Sequence, residues 1–174
     1  MLISTHALAG IVISQHAPNA FWAFLISLVS HYILDIIPHG DKSITKWIQR
    51  GPATIRIFLY LVVDLCILFI FIVTVYLRAR LPDPKVMIAG IIGATLPDLL
   101  YFGHEYFYKK YFYHRRTLRT IFRKYLQIEH ILHHQYKIHD YIHELLHINI
   151  SLKYGALIQL VIIIILLYIC LRIS

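Results

Sequence analysis

Twelve histidines outnumber the nine acidic residues in this 174-residue chain, and they cluster. The densest chemistry lies in His31-Tyr-Ile-Leu-Asp35-Ile-Ile-Pro38-His39-Gly40-Asp41. His31 and Asp35 are four residues apart, so they share one face of a helix. Pro38 cannot continue the hydrogen-bond ladder, and it pushes Ile37 out of helical geometry. The chain must therefore turn there, which lets His39 and Asp41 fold back toward the same place. Imidazole with carboxylate is a donor set for a divalent ion: zinc first, with manganese or iron as the alternatives. A carboxylate can instead orient a ligand histidine from behind.

Other ionisable residues sit within or beside apolar stretches: His6, Asp64 and Asp98, with His104 and Glu105 just after the last. Asp35-Ile-Ile-Pro-His-Gly40-Asp41 is echoed by Asp98-Leu-Leu-Tyr-Phe-Gly103-His104, with the same Asp-to-Gly spacing. Upstream of Asp98, Ala89, Gly90, Gly93 and Ala94 form a small-residue face that admits a second helix closely.

The elements that position these groups are apolar. The chain is 59% apolar and 15% charged, against roughly half and about a quarter in soluble domains. This excludes a disordered chain, a secreted disulfide scaffold and an ordinary cytosolic enzyme. Four segments read as membrane helices near the ~20 residues a bilayer core requires: Phe21 to Ile37, Ile57 to Leu77, Val86 to Phe102, and Tyr154 to Leu171. A fifth, Leu2 to Ser14, is shorter. No Lys or Arg precedes it, which argues for a short or tilted helix of the mature protein over a signal peptide. The expected fold is all-α: one polytopic membrane domain over 1–174, with about five transmembrane helices, four long and one short. Residues 103–153 form a basic, histidine-rich helical insertion on the cytoplasmic side. Cys66 and Cys170 fall inside apolar spans and read as packing residues.

If all five helices cross, the loops of one side carry 13 basic residues and those of the other carry 4. The positive-inside rule then places the N-terminus in the cytoplasm. His6, His31, Asp35, Asp64 and Asp98 fall in one depth band under this topology. A carboxylate at membrane depth costs about 2.5–3.5 kcal/mol on insertion scales, so three require partners or a wet cavity. The bland alternative is that each Asp caps a helix end or pairs with a nearby His.

Thr5-His6-Ala7-Leu8-Ala9-Gly10, Ser30-His31 through Asp35, and Gly93-Ala94-Thr95-Leu96-Pro97-Asp98 resemble the membrane-bound metal-dependent hydrolase family. That family includes the LexA-regulated inner-membrane hydrolase type and is distantly similar to zinc-dependent phospholipase C. The resemblance covers roughly the first 105 residues. It implies a helical protein of a bacterial or archaeal inner membrane, with His6, His31, Asp35 and Asp98 in the metal site. The chain departs from the family's Pro-Asp-x-Asp pattern at Leu100.

Between Gly103 and Lys153 the character changes. Tyr106 to Tyr113 alternates aromatics with Lys109 and Lys110, and Arg115, Arg116, Arg119, Arg123 and Lys124 follow. Beside a membrane helix, anionic lipid headgroups are the expected partner, at roughly 1 kcal/mol per basic residue, and nucleic acid is not expected. Further on, His130 and His134 are one turn apart, and His139, His143 and His147 form a second ladder. Two histidines at this step can chelate an ion. A third, another 5.4 Å along, cannot join the same ion. A full site needs a ligand from elsewhere, such as His104 or the His31 cluster. The alternative is an amphipathic helix with a histidine-rich polar face.

The expected function is a membrane-embedded metal-dependent hydrolase acting on a phosphoester or lipid-like substrate at the cytoplasmic interface. His6, His31, Asp35 and Asp98 would hold the ion, with His39, Asp41, His104, His130 and His134 as further candidates. Asp64 or Glu105 would be the general base. The alternative is a metal-binding or metal-transport protein without catalysis, and a third reading is a scaffold. Spacing alone does not fix the oligomeric state.

Overall fold

The computed structural model describes residues 1–40, 47, 51–78, 82–102, 128–146, 148 and 150–172, with backbone alone at 53, 54, 78, 128–132, 143 and 144. The described residues form six α-helices and no strand: α1 (Ile3–Ser14), α2 (Ala20–Ile36), α3 (Ala53–Arg78), α4 (Pro84–Phe102), α5 (Ile128–Glu144) and α6 (Leu152–Arg172). Three of them, α3, α4 and α6, are long and apolar enough to cross a membrane. The other two apolar helices are shorter, with 12 residues in α1 and 17 in α2. At 1.5 Å per residue they rise about 18 and 25 Å, less than the ~30 Å of a hydrocarbon core.

Local sequence sets the ends of α2. The Asn19 side chain accepts the Trp22 N–H at 3.1 Å, the expected N-cap bond. At the other end Ile37 is extended (φ −69°, ψ 125°), as a residue before proline should be. Gly40 then takes φ +86°, the left-handed region that favours glycine, and completes the turn. The carbonyl of His39 in this turn lies against Gly155 of α6 and accepts the Gln159 amide at 3.2 Å.

The shortest apolar helix is the most enclosed element. Every residue of α1 from Ser4 to Val12 is buried, and α1 packs against α2, α3, α4 and α6. A mainly apolar helix with no polar face belongs inside a protein or a membrane, and α1 is enclosed by the other helices. Its buried N-terminus exposes amide donors that need partners. Asp64 of α3 supplies them, accepting the Ile3 and Ser4 N–H groups at 2.9 Å each. Gln159 of α6 accepts the Leu2 N–H at 2.8 Å. The carboxylate also complements the positive end of the helix dipole.

The bundle is polar within and apolar without. Buried side chains include Ser4, Thr5, His6, Ser27, His31, Asp35, Asp64 and Gln159. Phe21, Trp22, Val29 and Ile33 of α2 stand exposed, as do Phe58, Phe69 and Ile70 of α3 and Ile164 of α6. Large apolar side chains in such number on the outside suit acyl chains as solvent. An apolar cluster of Leu8, Ile11, Val12, Phe71, Val75 and Cys170 fills the interior beyond the polar residues. Cys170 is thus a packing residue as expected, whereas Cys66 is exposed.

Small residues set the distance between α1, α2 and α4. A Cβ on Gly10 would stand 2.5 Å from the Gly90 carbonyl oxygen, and one on Gly93 would meet the Phe24 backbone. One on Gly90 would meet Ser14 Oγ and the Gly10 carbonyl. Gly90→Val should therefore destabilise the bundle by about 1–3 kcal/mol, the range for overpacking. Thermal unfolding in detergent should show a lower Tm for Gly90→Val and an unchanged one for the exposed Ile92→Val. Equal midpoints would refute this close approach.

Candidate metal centre

Four elements bring their polar residues to one point. α1 contributes His6 from its first turns, α2 contributes His31 and Asp35 from its last two, α4 contributes Asp98 near its end, and α5 contributes His139. His31 is fully buried, Asp35 is 2% exposed and His139 is 3% exposed. The Asp98 side chain keeps 16% of its exposure. One ligand atom from each of His31, Asp35, Asp98 and His139 lies within 4.8 Å of all the others.

All three ring nitrogens Nε2 face the two carboxylates. His31 Nε2 lies 2.9 Å from Asp35 Oδ2 and 3.8 Å from Asp98 Oδ1. His139 Nε2 lies 3.1 Å from Asp98 Oδ1 and 3.4 Å from Asp35 Oδ2. His6 Nε2 lies 3.2 Å from Asp35 Oδ1 and 3.8 Å from Asp98 Oδ2.

The donor set fits a divalent ion on an observation of its own. His31 Nδ1 stands 2.7 Å from the Ala94 carbonyl. A carbonyl only accepts, so Nδ1 carries the proton, and a neutral ring then points the Nε2 lone pair at the carboxylates. That arrangement is repulsive unless Nε2 is itself protonated or a cation lies between. A ligand histidine anchored by its other nitrogen to a carbonyl is the usual backing of a metal site. Pro97 lacks the N–H that would bond the Gly93 carbonyl, which interrupts the ladder of α4 beside Ala94. His6 is fully buried, with Nε2 3.2 Å from Asp35 Oδ1 and no hydrogen-bond partner at Nδ1 among the described residues. Two carboxylates and three imidazoles together out of water are costly unless mutually neutralised, and a divalent ion balances the two negative charges.

His139 reaches the cluster because α5 is docked at Gln135, one turn earlier. Tyr32 of α2 donates its hydroxyl to Gln135 Oε1 at 2.8 Å, and Gln135 Nε2 donates to the Pro97 carbonyl at 3.2 Å. The Tyr101 ring stacks on Tyr136 at 5.1 Å and lies 4.8 Å from the His139 ring. Burial pushes the His139 pKa down, but hydrogen bonds to Asp35 and Asp98 outweigh it and raise the pKa to about 9.

Of the residues expected from sequence, His6, His31, Asp35 and Asp98 come together. His39 is buried beside them, with Nε2 4.0 Å from Asp35 Oδ1. Its Nδ1–H donates to the Ile37 carbonyl at 2.6 Å, and its Nε2 accepts from the Met1 amino group at 2.7 Å. Asp64, expected as a general base, instead holds the amides of α1 with both oxygens. His134 is exposed on α5. Asp41, His104 and Glu105 lie outside the described residues, as does the His130 side chain.

His139 is the candidate ligand that the choice of His130 and His134 leaves out. It is the first rung of the second histidine ladder, whose spacing alone does not single out an inward rung. Gln135, His139 and Ile142 follow one another at helical steps of four and three, the spacing of an inward face. No protein-family model, curated protein or solved structure matches this chain.

His139→Ala should abolish or strongly reduce metal retention in the detergent-purified protein, whereas His134→Ala should retain it. Asp64→Asn should lower Tm, with a cap-sized loss of about 0.5–2 kcal/mol, and leave metal content unchanged. Metal analysis beside thermal unfolding checks all three. Loss of metal in His134→Ala with retention in His139→Ala would reverse the assignment.

Proposed function

We propose that this protein is a membrane-embedded metal-dependent hydrolase acting on a phosphoester or lipid-like substrate at the membrane interface. The observation that carries the reading is the convergence of His31, Asp35, Asp98 and His139, with ligand atoms within 4.8 Å of one another inside an apolar-faced bundle. The mixed nitrogen and oxygen donors suit zinc, with manganese or iron as alternatives. When bound, a divalent ion at these residues supplies Lewis acidity that activates water and polarises a phosphoryl or ester oxygen.

The chain's own residues divide the remaining work. Asp35, closed off from solvent, holds charge and position. Asp98 retains exposure, so its side is where substrate and water enter. The Ala94 carbonyl fixes the His31 ring, and Tyr32 and Gln135 hold α5 so that His139 completes the set. Glu105, seven residues beyond Asp98, is the proposed proton acceptor. The five-helix crossing, the cytoplasmic N-terminus and the bacterial or archaeal inner membrane belong to the same proposal. So does the role of the basic residues between Lys109 and Lys124 in holding anionic headgroups.

The second reading is a metal-binding or metal-transport protein without catalysis. It is favoured by donor number: His31, Asp35, Asp98 and His139 are enough to close a tetrahedral shell, and a catalytic site needs an open position.

Metal content per chain, beside His31→Ala and Asp35→Asn, tests both readings. Near-stoichiometric metal lost in both variants, with metal-dependent turnover of phosphodiester or phospholipid substrates, supports the hydrolase. Metal without turnover across that screen assigns the second reading. Absence of metal after loading with zinc or manganese overturns both.

A pH dependence follows from His139. Its proton is held up to about pH 9 in the metal-free chain, and metal uptake must displace it. Apparent metal affinity should therefore rise with pH, about tenfold per unit for one proton released. The rise should flatten above about pH 9. A flat affinity from pH 6.5 to 9 in calorimetric titrations would contradict the assignment of His139.

A further inference from the structure

The four-residue ligand set leaves one fully buried imidazole unexplained. His6 lies outside the group whose ligand atoms share a common 4.8 Å neighbourhood, yet its Nε2 faces the same two carboxylates. The carboxylate oxygens are divided between the imidazoles. Asp35 Oδ2 and Asp98 Oδ1 face His31 and His139, at 2.9 to 3.8 Å. Asp35 Oδ1 and Asp98 Oδ2, the opposite oxygens of the same groups, face His6, at 3.2 and 3.8 Å.

We propose that this is a two-ion centre, in which Asp35 and Asp98 each present one oxygen to a first divalent ion held by His31 and His139 and the other to a second held by His6. The inference rests on the metal reading above and extends it by a second site. Ring geometry supports it. The His6 and His31 rings stack with centroids 4.1 Å apart and an interplanar angle of 28°. Two ligands of one tetrahedral ion diverge from it at about 109°, which drives their rings apart. Stacked rings whose Nε2 atoms face one carboxylate pair instead suit two ions side by side, and two-metal sites hold their ions about 3.5–4 Å apart.

The second site has a further donor within reach. His39 Nε2 stands 4.0 Å from Asp35 Oδ1, the oxygen that faces His6. Its Nδ1–H is anchored on the Ile37 carbonyl, so Nε2 is an acceptor. The Met1 ammonium stands at this place, 2.7 Å from His39 Nε2 and 3.6 Å from Asp35 Oδ1, and His39 becomes a ligand once that ammonium is exchanged for the ion. Each ion would then have two imidazoles and two shared carboxylates. His39 lies in the turn that Pro38 and Gly40 create after α2, which gives that turn a ligand-bearing role.

The test is ion count with a spectroscopic readout, on the full chain in detergent loaded with Mn²⁺. The wild type should bind two ions per chain and give the electron paramagnetic resonance spectrum of a coupled pair. His6→Gln keeps most of the buried volume and should bind one ion, with the spectrum of an isolated ion. Asp35→Asn should lose both. One ion in the wild type, kept in His6→Gln, would overturn the two-ion centre while leaving the single-ion reading intact. One ion lost in both His6→Gln and His31→Gln would overturn it too, and would make His6 a ligand of a single site. No ion at any loading would overturn the inference together with the metal reading beneath it. If His6→Gln fails to fold, the wild-type ion count and spectrum decide alone.

Discussion

Two carboxylates buried among imidazoles are the constraint on which the rest depends. Asp35 is 2% exposed and Asp98 lies 3.1 Å from His139 and 3.8 Å from both His6 and His31. Away from water such a pair is tolerable only when its charge is met by protons or by a cation. In the metal-free chain His139 carries part of that load as an imidazolium, which is why its pKa rises despite burial. The same geometry that retains a proton there could hold a divalent ion, since both species answer one local excess of negative charge.

Meeting that constraint requires four separate chain segments to arrive together, and the bundle is arranged around this need. α1 is too short to span, so it inserts as an enclosed plug and delivers His6 to the interior. Its entry is possible because Gly10 and Gly90 bring two backbones into contact and because Gly93 admits the Phe24 backbone. Its buried amides are met by Asp64 and Gln159. Gln159 also holds the His39 carbonyl, so one side chain of α6 ties the start of α1 to the turn after α2. The polar interior is therefore two connected systems, a cap for α1 and the His/Asp cluster, and Asp64 belongs to the first.

The sequence made much of the cluster legible, because helix spacing is local. His31 and Asp35 declare their shared face four residues apart, and Pro38 declares the end of α2. Gly90 and Gly93 announced a close helix approach that the structure contains. Asp64 was ambiguous for a physical reason. A carboxylate in an apolar helix needs donors, and nothing in α3 says whether they are water, an imidazole or the amide end of another helix. His139 was hidden for a related reason. A histidine ladder on an amphipathic helix has the same pattern whether one rung points inward or none does. What selects His139 is Gln135 meeting Tyr32 and Pro97, residues 103 and 38 positions away in the chain. The length of α1 was legible, but its central position was not, since an apolar helix reads alike beside lipid and inside protein.

The origin of His139 bears on how the centre is assembled. His6, His31, Asp35 and Asp98 all come from apolar helices, whereas α5 is rich in histidine and is not one of the three spanning candidates. Its docking on the bundle relies on a hydroxyl, an amide, a pair of stacked tyrosines and the ion pairs of His139. Neutral polar contacts of this kind contribute about 1 kcal/mol each. An ion bound jointly by α2, α4 and α5 would add its binding free energy to that docking by linkage. His139 is then the ligand residue whose position would depend most on the ion.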